Sequence, residues 1–185
     1  MAVTTLDAKT ALIVIDLQKG IVALPVSHDP QPVIALSARL TDAFRAKNLP
    51  VVLVNVAGGA PGRTGQPRHA GELPADWAQL VPEMTPQSGD LTITKYTWGA
   101  FHNTALHDEL QQRGVTQVVI CGIATSIGVE STARQAYELG YNVTLATDAM
   151  TDLDINTHNN SVELIFPRLG ETGTTDEVLA LVNAL

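Results

Sequence analysis

Three positions in this sequence combine side-chain chemistry, or its absence, with a place at the end of an apolar run. Asp16 closes TALIVIDL at residues 10–17, Lys95 follows the shorter run at 91–94, and Gly128 stands shortly after VVIC at 118–121. In an open α/β sheet the carboxyl ends of parallel strands share one edge, and ligands bind along it. The three positions therefore converge. An aspartate at such an edge is a candidate acid or base, and a lysine beside it a candidate partner. Each also has an ordinary reading: a carboxylate closing a buried strand often caps a helix, and a lysine after a short strand is by default a surface residue.

The elements that must position these residues are legible in the apolar patterning. Residues 118–138, VVICGIATSIGVESTARQAYE, predict a buried strand ended by Gly122, a tight turn and an amphipathic helix. Thr125 or Ser126 is the expected cap. The apolar side is Ile127, Val129, Ala133, Ala136 and Tyr137, with Glu130 and Arg134 at i, i+4 outside. The free N–H groups at its start face the ligand edge and favour negative charge. A glycine in the first helical turn costs roughly 1 kcal/mol relative to alanine, so Gly128 implies a need for space or backbone freedom.

Further strands are predicted at 10–17, 50–56, 91–94 and 141–146, and helices at 29–48, 75–80, 154–166 and 176–183. His158 lies on the third of these helices. The segment 58–71, GGAPGRTGQPRHAG, is glycine-rich but has no G-K-[ST] and no immediate helix, so it is read as a pocket loop and not a phosphate loop. It carries Arg63, Arg68 and His69. Arginine's planar fork suits a carboxylate, while a solvated loop without a ligand is the alternative. Tyr96 and Trp98 wall a pocket or simply pack. Cys121, inside an apolar run, reads as a small core hydrophobe.

Composition bounds the partners. With 185 residues, 45% hydrophobic and 16% charged, the chain is expected to form one domain over 1–185. Its 19 acidic against 11 basic residues give a formal charge of −8, which disfavours nucleic acid and anionic membrane as partners. A small molecule is expected. If that molecule is an anion, a local group of cations must hold it. There is no apolar run of roughly 18 residues and no basic leader with an apolar core, so a cytoplasmic protein is the expectation. The single cysteine excludes an intrachain disulfide.

Three stretches resemble one family. Gly122 to Arg134, GIATSIGVESTAR, is similar to the G-x-x-T-x-x-C-V-E-x-T-A-R pattern of the isochorismatase-like cysteine hydrolases. Asp16-Leu17-Gln18 resembles their D-x-Q segment, and Lys95 to Leu106 their K-x-x-x-x-A-F-x-x-T-x-L signature. The family's nucleophilic cysteine falls on Gly128. The resemblance implies an α/β fold of three layers, α/β/α, around an open, mainly parallel sheet of five or six strands in the order 3-2-1-4-5 with a possible sixth. It implies Asp16 as catalytic acid or base, Lys95 completing the set, Gln18 shaping the pocket, and a cis peptide at Ile123–Ala124 in an anion-binding turn that includes Thr125. Arg63, Arg68 and Trp98 are the remaining expected substrate-binding residues.

No metal is expected, because Asn55-Val56-Ala57 does not supply the aspartate and histidines of the family's zinc-binding amidases; nor is a cofactor. A homo-oligomer and an anionic small-molecule substrate are. Thiol-bearing members hydrolyse amides, whereas isochorismatases proper carry glycine at this place and cleave a vinyl ether without a covalent intermediate. The leading expectation is therefore hydrolysis of an enolpyruvyl ether such as isochorismate to pyruvate and a dihydrodiol acid, with Asp16 as general acid. The alternatives are an amidase or acyl hydrolase using Ser126 or Thr125, and a binding protein without turnover.

Overall fold

The computed structural model describes residues 3–66 and 72–185. Six strands form one sheet in the order β3-β2-β1-β4-β5-β6: β1 (Thr10–Ile15), β2 (Val51–Val56), β3 (Leu91–Lys95), β4 (Gln117–Ile123), β5 (Asn142–Thr151) and β6 (Glu171–Gly173). Every neighbouring pair is parallel, and the sixth strand, which the resemblance left as a possibility, is present. The helices are α1 (Lys19–Val22), α2 (Pro30–Ala46), α3 (Leu106–Gln112), α4 (Glu130–Glu138), α5 (Ile155–Asn160), α6 (Phe166–Leu169) and α7 (Thr175–Ala184).

Side chains alternate across a strand, so β1 feeds two separate cores. Ala11, Ile13 and Ile15 join Leu106, Leu110, Val129, Ala133 and Ala136 on one face. Leu12 and Val14 join Val33, Leu40, Phe44, Val178 and Val182 on the other. Helices thus cover both faces, which is why β1 and β4 are buried along their whole length and read as unbroken apolar runs.

Three expectations are corrected. Residues 75–78 form turns and not a helix, because the carbonyls a helix would use are engaged elsewhere: Trp77 O accepts from Gln18 Nε2 and Gly20 N, Ala78 O from Asn55 Nδ2, and Gln79 O from Lys19 N. Neither Thr125 nor Ser126 caps α4. Residues Thr125–Val129 form a wider π-type turn running into it, and Asp152 Oδ2 accepts from Ser126 N at 2.5 Å instead. Strand β5 runs on past Ala146 to Thr151 after a register shift opposite Ile120–Gly122. Asp148, within β5, accepts from both N and Oγ1 of Thr175 and so anchors α7.

One glycine sets the geometry of the sheet's edge. Gly122 has φ +118°, and a Cβ there would lie 2.1 Å from Ile15 O, so only glycine lets β4 pass the end of β1 this closely. The next residue along β1 is Asp16.

Candidate active site

Asp16 leaves β1 with φ +51°, a left-handed conformation uncommon for a residue with a side chain and often found at functional positions. Its N donates to Val54 O, which fixes the backbone as the chain turns. The carboxyl is buried, and Oδ2 accepts from Lys95 Nζ at 2.7 Å. Oδ1, also buried, has no hydrogen-bond partner among the described residues. Burial pushes the Asp16 carboxyl up to about 6, against the opposing pull of the Lys95 ammonium and its hydrogen bond.

Lys95, at the end of β3, is 1% exposed, so the surface reading does not hold. Its ammonium donates to Asp16 Oδ2, to Trp98 O at 2.7 Å and to Thr97 O at 3.3 Å. A lysine has three N–H donors, and all are engaged. Lys95 orients Asp16 and has no donor left for a substrate.

Gly128 completes the group. A Cβ added there would stand 3.1 Å from Asp16 Oδ2, 3.5 Å from Lys95 Nζ and 2.8 Å from Ile15 Cγ2. The position where the resemblance puts a thiol therefore faces the carboxyl–ammonium pair directly. Asp16, Lys95 and Gly128 together line a cavity of about 200 Å³, whose other lining includes Ile21, Leu24, Val56, Trp77, Ile127 and Leu153. A larger groove of about 710 Å³ opens at the opposite edge of the sheet, around Lys9, Arg45, Lys47 and Arg113. None of the three chemical positions reaches it, and its Arg45 is bonded to Asp90.

The expected binding residues divide. Ile123 and Ala124 line the cavity, and the peptide between them is cis. Trp98 lines it too, with 63% of its surface exposed. Tyr96 does not; it packs over Gly58 at the mouth. Gln18 is fully buried and bonds only main chain: Oε1 accepts from Val56 N, and Nε2 donates to Val56 O and Trp77 O. It lies outside the cavity lining and fixes the backbone of Val56 and Trp77, which line it. Arg63 is exposed and outside the lining, while Arg68 and His69 fall outside the described residues.

Thr125 is fully buried, and its hydroxyl is paired with His158 Nδ1 at 2.8 Å. Sequence reasoning placed no base beside this hydroxyl; the return of the chain after β5 brings one. Burial and neighbouring His28, whose ring meets His158 edge-on at 5.1 Å, hold the His158 imidazole below its usual range, with Asp152 opposing them. Cys121 is fully buried, and burial pushes its thiol up to about 12, as befits a core residue. Sequence reasoning also missed the apolar wall. Ile21 and Leu24 sit just past Asp16, Trp77 in the turn tied to Gln18, and Leu153 just past β5. Proximity to strand ends was the available signal. Among the described residues no cluster of three or more His, Cys, Asp or Glu is placed to hold a metal ion, and no helix is long and apolar enough to cross a membrane.

Fold and site together define an α/β/α protein with a buried aspartate–lysine pair at the carboxyl edge of its parallel sheet. The Isochorismatase domain family matches residues 10–177, and the chain belongs to it. It is similar to the isochorismatase family protein YwoC of Bacillus subtilis, 48% identical over 95% of each chain. It is also similar to the ureidoacrylate amidohydrolase RutB of Pseudomonas syringae, 32% identical over 76% of this chain and 70% of that one. An isochorismatase family structure from Burkholderia thailandensis superposes with a TM-score of 0.92 at 40% identity, covering 97% of this chain and 98% of that one.

Proposed function

We propose that this chain hydrolyses an enol (vinyl) ether by general-acid catalysis at Asp16, with no covalent enzyme intermediate. The observation that carries this reading is the Asp16 carboxyl itself: Oδ2 is held by Lys95, Oδ1 has no partner among the described residues, and burial pushes the carboxyl up to about 6. With Oδ2 occupied by a donor, the proton of the acid form resides on Oδ1. Oδ1–H protonates the terminal vinyl carbon, leaving an oxocarbenium ion and an Asp16 carboxylate stabilised by the ammonium. Water adds to the cation and returns a proton to Asp16, and the hemiketal breaks down to a carbonyl compound and an alcohol. One water is consumed and no nucleophile from the protein is needed, so glycine at 128 suits the reaction.

The amide-hydrolysis reading has two supports, the Thr125–His158 pair and the similarity to an amidohydrolase. It is the weaker. Thr125 lies outside the cavity lining, and a nucleophile must touch its substrate. A binding role without turnover leaves unexplained why a carboxyl is kept buried with one oxygen unbonded.

The test is product release from two enol ethers, pyruvate from isochorismate and phenol from phenyl vinyl ether, comparing wild type with Asp16→Asn. Release from at least one, reduced roughly 10²- to 10⁴-fold in the variant, is the expected result. Ammonia release from simple amides with neither ether cleaved would overturn the reading.

A further inference from the structure

The cavity's lining says more about the substrate than the acid does. Among the described lining residues the only ionisable side chains are Asp16 and Lys95. Lys95 has its three donors engaged, and the Thr97 hydroxyl donates to Gly99 O. The side-chain donors that remain are the indole N–H groups of Trp77 and Trp98, both neutral. Around them stand Ile21, Leu24, Ile127 and Leu153. A carboxylate entering here would lose its hydration without gaining a cation that has a free donor, and would face the Asp16 carboxyl. The space is also small. At about 200 Å³ it falls below the roughly 300 to 1,000 Å³ usual for ligand clefts.

We infer that the substrate bound by this cavity is compact, uncharged and apolar beyond its reacting oxygen, held by the two indoles and the leucine–isoleucine wall, and that carboxylated substrates are discriminated against. The inference rests on the cavity being the reaction site, as proposed above. An ether or carbonyl oxygen matches the indole donors, and an alkyl or aryl group matches the wall. The expectation of an anionic substrate finds, among the described lining residues, no cation but Lys95, whose donors are engaged.

The chain's two tryptophans both line the cavity, so intrinsic fluorescence reads its occupancy directly. The test titrates wild type with three saturated ethers that cannot be hydrolysed as enol ethers: phenyl ethyl ether, 2-phenoxypropanoate and 2-(4-carboxyphenoxy)propanoate. They share one skeleton and carry no, one and two carboxylates. The neutral ether is expected to bind at least tenfold more tightly than the monoanion, and the dianion more weakly again. Equal or tighter binding of a carboxylate, or no response to the neutral ether up to its solubility, would overturn the inference. Leu153→Arg, at a rim position 44% exposed, is expected to tighten monoanion binding at least tenfold. Unchanged monoanion binding in that variant would also count against it. Since no turnover is read, the charge preference can fail while Asp16-dependent ether cleavage stands, and the reverse.

Discussion

A carboxyl pushed up to about 6 by burial makes opposite predictions for an acid and a base. If Asp16 delivers a proton, kcat/KM is highest below pH 6 and falls about tenfold for each unit above it, as the protonated fraction does. If Asp16 served as a base for a nucleophile, the rate would climb through the same pH. A pH–rate profile on any cleaved substrate separates the two, and a rate rising through pH 6 would sink the general-acid mechanism. Gly128 supports a second prediction. Gly128→Cys sets a thiol beside Asp16 and Lys95, which pull its pKa in opposite directions, so accessibility decides its reactivity. We expect one thiol per chain to react with a disulfide reagent in the folded variant and none in wild type, where Cys121 is buried. Ether cleavage should fall with it, because the Cβ occupies the space beside the acid. The approach of that Cβ to Ile15 costs about 1 to 3 kcal/mol, partly offset by about 1 kcal/mol from removing a helical glycine. Asp16 and Lys95 were legible because each ends an apolar run within a recognisable motif. The filled donors of Lys95 were not, since two of its acceptors are main-chain carbonyls of its own loop, which no pattern of residue types records.

The turn between β4 and α4 shows how an element depends on residues far along the chain. Strand positions were readable from unbroken apolar runs, whereas the 75–80 helix was not realised because Gln18, Asn55 and Lys19 take its carbonyls. In the same way the amino end of the Thr125–Val129 turn is capped by Asp152, 26 residues later, whose carboxylate also accepts from Leu153 N. A local reading could see only Thr125 and Ser126. Asp152→Ala leaves two N–H groups unbonded and is expected to destabilise the fold by about 1 to 3 kcal/mol in urea unfolding. It should also lower kcat/KM, because Ile123, Ala124, Ile127 and Gly128 line the cavity. Thr174→Ala is the control. It removes the capping box of α7, remote from the cavity, and should cost about 1 kcal/mol with kcat/KM unchanged. Equal catalytic effects from the two variants would contradict the positioning role of Asp152.

At the scale of the whole molecule, two apolar cores on either side of the sheet must sustain one buried ion pair at its edge. Desolvating two charges is expensive, and well-packed apolar residues in place of a buried pair are often neutral or stabilising by about 1 to 4 kcal/mol, while removing one partner costs about 3 to 5 kcal/mol. Asp16→Leu alone should therefore be strongly destabilised, because it strands the Lys95 ammonium. The double variant Asp16→Leu with Lys95→Met should be at least as stable as wild type and catalytically dead. The comparison also depends on pH. The Asp16 carboxyl holds its proton up to about pH 6 in the folded chain, against 3.8 as its ordinary value, so between these the folded state binds more protons than the unfolded one. Its contribution to stability is fully present below the lower value and lost as pH rises through the upper one. The stability gained by the double variant over wild type should widen from pH 4 to pH 7, measured by urea unfolding at each pH. A double variant as unstable as Asp16→Leu would mean that the pair holds the fold together. A stable one would mean that the chain maintains it, against its own stability, for chemistry.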